Sequence, residues 1–288
     1  MAYKDILVHL DHYRGADVRL RLALSLAKRN EARIAGLYAF QLPRVPYSRV
    51  VAGAYVEDNA ALTAYERERD TAFNHAAYSE AEFHAEARRA GLKSDWQLCP
   101  DKATELVTLV TERARYADLT VLGQADSAHP FFDTLAKLPE AVMLGCGRPV
   151  LVVPYASSVE EVGKHVLVAW SGTREAARAV GDALPLLQSA VAVTLISIGR
   201  TGDDSEHQER PLRELAQYLL AHGIHAHVSL AVSNELEAGA LLLSRAGDIG
   251  CDLLVMGGYG HSRTRELILG GVTRFILQHM TVPVLMSH

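Results

Sequence analysis

Glycines with a regular spacing mark the segment most suited to chemistry in this 288-residue chain. Gly257 directly follows the apolar run Leu253–Met256, and Gly260 comes three residues later. Nine residues then separate Gly260 from the pair Gly270 and Gly271. Glycine has no Cβ, so its backbone can approach a bound anion closely. If the apolar run is a strand and a helix begins at the second glycine pair, the loop lies where parallel sheets bind ligands. Free N–H groups at the helix start then favour a phosphate.

Two common glycine-rich phosphate motifs do not describe this segment. The chain contains no GxxxxGK(S/T), which argues against an ordinary P-loop, and the pattern is not GxGxxG. Glycines after a strand also form ordinary tight turns, so spacing alone leaves that alternative open. Arg263 and Arg265 add positive charge to the loop, or are simply solvated.

The elements that would position these glycines occur twice along the chain. Short apolar runs recur in the same order, and each leads into a turn, a helical pattern or the next run. The internal repeat indicates two similar domains rather than one. The pairs of runs are Ile6–Leu10 with Val166–Trp170, Asp118–Gly123 with Asp252–Gly257, and Pro149–Val152 with Pro283–Met286.

Within each repeat the apolar runs are short and nearly continuous, which is typical of strands buried on both faces of a parallel sheet. Their alternation with helical patterns favours right-handed crossovers. We therefore predict an α/β protein made of two tandem doubly wound parallel-sheet domains, residues 1–156 and 163–288. In the second domain strands are predicted near 164–170, 191–198, 225–231, 252–257 and 282–286, and helices near 173–188, 209–222, 235–248 and 270–279.

The first domain carries a helical insertion near residues 41–70, after its second strand. Prolines within Gln41–Val56 predict a loop there. A long helix is predicted over Asp58–Ala90, and Gly91 is a suitable C-terminal stop. This helix is either a solvated crossover or part of a surface for self-association.

The arrangement as a whole resembles the universal stress protein family. Gly257-x2-Gly260-x9-Gly270 matches the family signature G-x2-G-x9-G-(S/T), and nearly the whole chain fits two such Rossmann-like domains in tandem. The resemblance implies that ATP or ADP, with or without Mg²⁺, binds to the second domain. It also implies that the two domains pack as a pseudo-dimer through their last strands. The implied nucleotide-binding residues are Ser171, Gly172, Thr173, Ile198, Met256, Gly257, Gly260, His261, Ser262, Arg263, Gly270, Gly271, Val272 and Thr273.

Several positions depart from the family pattern. Ser171 stands where the family usually has an aspartate that contacts the ribose, and Gly271 stands where it has a hydroxyl that contacts phosphate. The first domain departs further, because Asp126 and Ala136 replace the second and third glycines of the signature. A carboxylate near a phosphate is repulsive. We therefore predict that the second domain binds the nucleotide, and that the first is structural or adapted to another ligand.

Histidines offer two other kinds of site. His225 and His227 share one face of a predicted strand near His222, but no acid or cysteine is close in sequence to complete a metal site. His9–His12 has the spacing of the H-x-G-H motif of a related nucleotidyltransferase, without its glycine. No G-x-S-x-G elbow indicates a hydrolase. We assign no catalytic residue and no metal ligand.

Composition limits the remaining classes of function. The net charge of −5 argues against a nucleic-acid binder, and no apolar run is long enough to span a membrane. Three widely spaced cysteines and the absence of a signal-peptide pattern favour the cytoplasm. We predict a cytoplasmic, nucleotide-dependent regulator of the stress response that forms a homodimer of the tandem chain, with an unknown protein partner. The alternatives are a scaffold that binds no nucleotide, and a slow ATPase or adenylyl-transfer enzyme.

Overall fold

The computed structural model describes residues 2–41, 49–51, 54–56, 59–101, 106–128, 132–199, 205–232, 238–259 and 271–288. We call β1 to β7 and their helices the first half, and β8 to β12 and their helices the second half. The elements of the first half are β1 (Asp5–Leu10), α1 (Ala16–Asn30), β2 (Arg33–Gln41), β3 (Arg49–Val51), β4 (Ala54–Val56), α2 (Asn59–Arg89), β5 (Ser94–Asp101), α3 (Leu106–Ala114), β6 (Leu119–Gly123), α4 (Phe132–Leu135), α5 (Leu138–Cys146) and β7 (Val150–Val153). Those of the second half are β8 (His165–Ala169), α6 (Arg174–Leu187), β9 (Ala192–Gly199), α7 (Ser205–Ala221), β10 (Ala226–Val232), α8 (Ala238–Asp248), β11 (Leu253–Gly257), α9 (Gly271–His279) and β12 (Val284–Ser287).

Ten of the strands form one sheet in the order β10-β9-β8-β11-β12-β7-β6-β1-β2-β5. Within each half of this sheet all neighbouring strands are parallel. β1 lies between β2 and β6, and β8 lies between β9 and β11. The halves meet where β7 and β12 pair antiparallel, with Leu151 opposite Leu285 and Val152 opposite Val284. The predicted pairing of the two last strands is therefore confirmed, as is the α/β class with its doubly wound parallel halves.

Apolar side chains fill both faces of the sheet, because helices cover it on both sides. Leu151 and Leu285 belong to the core on one face, and Val152 and Val284 belong to the core on the other. All four side chains are almost completely buried. The core therefore continues across the β7–β12 seam, and the two halves share one hydrophobic interior.

The insertion of the first half contains an element that the prediction missed. β3 and β4 pair with each other as a short antiparallel hairpin, so the prediction of a loop throughout Gln41–Val56 was wrong for these residues. Valines and a tyrosine favour extended pairing there. The predicted long helix is α2, and it ends as expected: Gly91 has a φ of 71° and the N–H of Leu92 bonds to the carbonyl of Ala87 at 2.9 Å.

An aspartate lies at the amino end of β6 in the first half and of β11 in the second half, and it binds the backbone that leads into the neighbouring strand. Asp252 lies just before β11, and its carboxylate accepts hydrogen bonds from three backbone N–H groups in the segment that leads into β8. Asp118 plays the same part before β6. Both carboxylates therefore lie at the opposite end of their strands from the predicted ligand site. The donors are the N–H groups of Gly163, Lys164 and His165 for Asp252, and of Lys4 and Asp5 for Asp118.

Removing the Asp252 carboxylate should weaken the second half. We expect Asp252→Ala to lower the free energy of unfolding by about 2 kcal/mol, because hydrogen bonds to a charged group are each stronger than neutral ones. Urea unfolding measures the change. Asp248→Ala is the control, since this exposed carboxylate only pairs with Arg245 at 3.5 Å on the helix surface and should change stability by less than about 0.5 kcal/mol. Equal effects of the two substitutions would contradict the role given to Asp252.

Candidate functional site

The predicted site residues that the structure describes gather at the carboxyl edge of the second half. β8 and β11 are parallel neighbours, with Ala169 opposite Met256, so the chain leaves both strands at the same edge. β9 lies on the other side of β8 and brings Ile198 to that edge. The chain that leaves β8 leads to β9 on one side of β8, whereas the chain that leaves β11 leads to β12 in the opposite direction along the sheet. This divergence creates the crevice in which doubly wound sheets bind ligands.

The first turn of α6 faces this crevice. Thr173 is its N-cap, and the Thr173 hydroxyl accepts a hydrogen bond from the N–H of Ala176 at 3.3 Å. Ser171 Oγ lies 3.1 Å from Thr173 Oγ1. Gly172 between them has a φ of 69°, a conformation that glycine adopts without strain. Ser171, Gly172 and Thr173 thus form the tight turn that places a helix N-terminus beside the end of β11.

Gly257 brings β11 and α6 into direct backbone contact. A Cβ added at Gly257 would lie 2.5 Å from the backbone nitrogen of Ala176 and 2.6 Å from the carbonyl carbon of Glu175. No side chain fits in this space. The first glycine of the sequence motif is therefore required by the packing of the strand on the helix, in addition to any contact it makes with a ligand.

The start of α9 is attached to the same place. Gly271 is its first residue, Val272 is half-buried, and Thr273 is buried. The Thr273 hydroxyl accepts a hydrogen bond from the N–H of Tyr259 at 3.4 Å. Thr273 therefore fixes the start of α9 to the residues that follow β11. The first N–H groups of α9 have no acceptor within the helix itself, which suits them to bind an anion.

Other predicted site residues are less informative. Met256 is buried in the core, so only its backbone belongs to the edge of the sheet. Gly260, His261, Ser262, Arg263 and Gly270 lie outside the described residues, and their roles stay predictions.

Glu175 is a residue near the site that the sequence analysis missed. Its side chain is 4% exposed, one carboxylate oxygen pairs with Arg174, and the other has no hydrogen-bond partner. Burial acts to raise the pKa of this carboxyl, but hydrogen bonds from Arg174 and the Glu175 backbone outweigh burial and hold the pKa below its usual value. The sequence signal is an acid two residues after a threonine at the predicted start of a helix, a pattern that by itself indicates only a helix start.

The carboxyl edge of the first half is filled differently. Asp11 follows β1, and it forms an ion pair with Arg19 of α1 at 2.8 Å. The Arg19 guanidinium lies over Gly123 at the end of β6, where its Nη1 would be 1.9 Å from an added Cβ. In the repeat, Ala179 replaces Arg19 and Ser171 replaces Asp11. An internal ion pair therefore takes up space at this edge of the first half, whereas Ser171 and Ala179 in the second half carry no charge and cannot form one.

Charges and burial shift the pKa values of Asp11 and of its neighbour His9. Burial acts to raise the pKa of Asp11, but Arg19, His9 and the N–H of Tyr13 together outweigh burial and hold the pKa below its usual value. Burial lowers the pKa of His9 to about 4, and the positive charge of Arg19 acts in the same direction. At neutral pH the group therefore consists of an ionised Asp11, a charged Arg19 and a neutral His9.

Two helices, α5 and α9, extend between the opposite edges of the sheet. α5 begins at the carboxyl edge of the first half, which we call the first-half crevice. The sulfur of Met143 in α5 packs on Gly258, and a Cβ added at Gly258 would lie 2.3 Å from this sulfur. α9 begins at the second-half crevice, and its last carbonyls, Leu277 and Gln278, each accept a hydrogen bond of 3.0 Å from the side-chain amide of Gln124. Gln124 directly follows Gly123. Each crevice is thus in contact with a helix that starts at the other one.

The histidine alternatives gain no support from the geometry. His225 and His227 are exposed at β10, and the described residues contain no group of three His, Cys, Asp or Glu side chains that could hold a metal. His12 Nδ1 lies 3.0 Å from the Tyr38 hydroxyl, and its ring stacks on His75. Among the described helices, none combines the length and the apolar character that a membrane span requires.

Comparisons with known proteins agree on one family. Residues 163–288 match the family model described as the universal stress protein family. A universal stress protein of Synechocystis sp. is 27% identical over 170 residues, which are 58% of this chain and 57% of that protein. The match thus spans just over half of the relative's length.

Solved structures extend the likeness of fold to the whole chain. The crystal structure of a universal stress protein from Archaeoglobus fulgidus aligns with a TM-score of 0.71 and 18% identity, over 98% of this chain and 95% of that one. A functionally unknown protein from Pseudomonas aeruginosa aligns with a TM-score of 0.62 and 15% identity, over 99% of this chain and 92% of its own. The second half of the chain, residues 163–288, thus matches the universal stress protein family, and the whole chain shares the fold of the solved universal stress protein from Archaeoglobus fulgidus.

Proposed function

We propose that the second half binds an adenine nucleotide, ATP or ADP, and that the chain is a cytoplasmic, nucleotide-dependent regulator of a stress response. The observation that carries this proposal is the contact of Gly257 with the first turn of α6. It supplies a backbone approach and a helix N-terminus at one point, with the start of α9 fixed beside them through Thr273. Helix N-termini and glycine backbone are what phosphates bind. Residues 1–156 and 163–288 are the proposed domains.

Each described residue has a defined part in this proposal. The N–H groups at the start of α9 and the turn Ser171–Thr173 bind phosphate and ribose oxygens, and the backbone at Ile198 contacts the base. Ser171 offers one hydroxyl and no charge to the ribose. Since no three-residue metal cluster exists among the described side chains, Mg²⁺ would arrive with the phosphates. Nucleotide binding then favours one conformation or one partner.

Glu175 favours a second candidate function, slow ATP hydrolysis. Its buried carboxylate has one oxygen without a partner, and the backbone of Glu175, in the first turn of α6, lies next to Gly257. A buried, ionised carboxylate near a phosphate site is suited to orient a water molecule. If the chain hydrolyses ATP, Glu175→Gln should reduce the rate by about 100-fold or more without preventing ATP binding. A rate that Glu175→Gln leaves unchanged would exclude this role.

The experiment that tests nucleotide binding is mass spectrometry of the small molecules released from purified, undialysed protein. We expect one ATP or ADP per chain. Two per chain would mean that the first half also binds a nucleotide. No nucleotide, together with no thermal shift on adding ATP and Mg²⁺, would favour a scaffold.

The repeat supplies a matched variant for the same experiment. Gly260→Asp places in the second half the residue that the first half carries at Asp126. We expect nucleotide affinity to fall by about tenfold or more, because a carboxylate then faces the phosphates. Asp126→Gly is the reciprocal control and should leave the affinity of the second half unchanged. Full affinity in Gly260→Asp would show that the site is wrongly assigned. Sedimentation of the purified chain tests the expected homodimer separately.

A further inference from the structure

The ten-stranded sheet has two edge strands, β10 and β5, and their sequences differ in character. Among the described strands β10 pairs only with β9, and β5 pairs only with β2. An edge strand presents backbone N–H and C=O groups that another strand can bind, and proteins usually prevent this with charged side chains or a proline. β5 has both features, since it contains Asp95, Pro100 and Asp101.

β10 has neither of these protective features. Its seven residues, Ala226–Val232, read AHVSLAV and include no Asp, Glu, Lys, Arg, Pro or Gly. At the usual rise per residue such a strand is roughly 23 Å long. β10 therefore presents an uncharged edge, without a proline that would interrupt pairing, and this edge is suited to bind another strand.

Both hydrophobic cores extend as far as β10. Val228 and Leu230 are half-buried and pack against the core on one face of the sheet, whereas Ala231 belongs to the core on the other face. α7, which packs on β10, leaves Tyr218 and Leu220 exposed by 46% and 53%. Removal of apolar surface from water drives association. A strand added at this edge would therefore bury side chains as well as pair its backbone.

An antiparallel pair of two β10 strands is self-complementary when it is centred on Ser229. Ser229 is the middle residue of the strand, so this register pairs all seven residues of each copy. Val228 then lies opposite Leu230 of the second copy, and His227 lies opposite Ala231. Residues that lie opposite each other share a face of the sheet, so Val228 and Leu230 both stay on the face whose core they already contact. No charged side chain faces another in this register.

The chain already contains one contact of the same kind. β7 and β12, the last strands of the two halves, pair antiparallel, and the core on each face continues across them. β10 is longer than either of these strands. A second copy bound at β10 would repeat an arrangement that the chain uses within itself. This precedent and the self-complementary register favour a second copy over an unrelated protein as the occupant of this edge.

We propose that two copies of the chain associate through β10, paired antiparallel about a two-fold axis at Ser229, so that the sheets of the two copies become continuous. This inference rests on the homodimer of the proposed function and names its surface, but it does not depend on nucleotide binding. The contact is isologous, because both copies use the same strand, and assembly therefore stops at the dimer. β5 remains the outer edge of each copy, where its aspartates and proline oppose further pairing.

Charges placed at Ser229 test this pairing by sedimentation of the full chain. The parent chain should be a dimer at micromolar concentration. Ser229→Asp and Ser229→Lys each place two like charges directly opposite one another, and each should raise the dissociation constant about tenfold or more at low ionic strength. An equimolar mixture of the two variants should recover a dimer that contains one copy of each. Leu98→Lys is the matched control on β5, where Leu98 is 38% exposed, and it should leave the dimer unchanged.

Ser229→Cys supplies a second measurement that does not depend on charge. Directly opposed residues of an antiparallel pair have Cα atoms about 4.5–5.5 Å apart, a separation that a disulfide can span. Oxidised glutathione should therefore cross-link two copies of Ser229→Cys. The parent chain, which has only Cys99, Cys146 and Cys251, is the control and should not be cross-linked.

The outcomes separate the homodimer from its surface. A monomeric parent chain would overturn both. A parent dimer that neither charged variant weakens would keep the homodimer and refute the contact through β10. A mixture of folded charged variants that stays monomeric, or a Ser229→Cys chain that does not cross-link, would refute the register centred on Ser229. None of these results depends on whether the second half carries a nucleotide, so they leave the test of nucleotide binding independent.

Discussion

Gly257→Ala is expected to destabilise the second half by about 3 kcal/mol and to remove most of its nucleotide affinity. The added methyl group would lie 2.5 Å from the Ala176 nitrogen and 2.6 Å from the Glu175 carbonyl carbon. Both are backbone atoms of the first turn of α6, so no side-chain rotation relieves the contact. β11 and α6 must move apart, and the crevice changes shape with them. Urea unfolding and ATP titration measure the two effects.

Gly181→Ala is the control for this substitution. Gly181 lies inside α6, and an added Cβ would meet nothing within 4 Å. Alanine is the better helix former, so Gly181→Ala should stabilise the chain by up to about 1 kcal/mol and leave nucleotide binding unchanged. The two substitutions add the same single carbon. If Gly257→Ala were as stable as the parent chain, the close packing of β11 on α6 would not exist in solution.

Arg19→Met should destabilise the first half by about 3 kcal/mol. Arg19 is almost completely buried, and its loss leaves the Asp11 carboxylate without its partner in a mostly buried position. Breaking a buried ion pair by removing one partner costs about 3–5 kcal/mol, and the lower end applies because 21% of the Asp11 side chain remains exposed. The double variant Arg19→Met, Asp11→Asn should recover part of the loss. A double variant no more stable than Arg19→Met would show that Arg19 acts by packing alone.

The acid dependence of these variants has a definite sign. Arg19 holds the pKa of Asp11 below its unfolded value. The stabilisation that results is present above the unfolded pKa, near 4, and is lost as the pH falls through the lower folded value. Arg19→Met lacks this stabilisation at every pH. The difference in unfolding free energy between parent and variant should therefore be largest near pH 7 and should narrow below about pH 4. A constant difference over this range would contradict the electrostatic account.

Much of the second half could be predicted because its strands are short, apolar and buried on both faces. β8, β9 and β11 lie within one or two residues of their predicted bounds. α7 begins at Ser205, earlier than predicted, because polar residues before Pro211 show no helical periodicity. In the first half, the β3–β4 hairpin was missed since three-residue strands are too short for a pattern to show.

The sequence predicted the candidate site only at the glycine motif that begins at Gly257. The glycine spacing located the end of β11 and the start of α9, because both are local in sequence. The Arg19 guanidinium over Gly123 and the Met143 sulfur on Gly258 were not predictable. Each joins residues more than 100 positions apart, and neither residue type signals such a contact. Glu175 was missed for a similar reason, since its burial results from packing and not from the helix start that its sequence position indicates.

The path of α9 has a consequence for any ligand of either half. This helix starts beside the second-half crevice at Gly271, and the amide of Gln124 holds its last carbonyls beside the first-half crevice. Its nine residues form one continuous helix about 13 Å long. A displacement at one end reaches the other without crossing a loop. A ligand at one crevice that displaces α9 would change the affinity of the other crevice for its own ligand. Thermodynamic reciprocity then requires the second ligand to change the affinity for the first by the same factor.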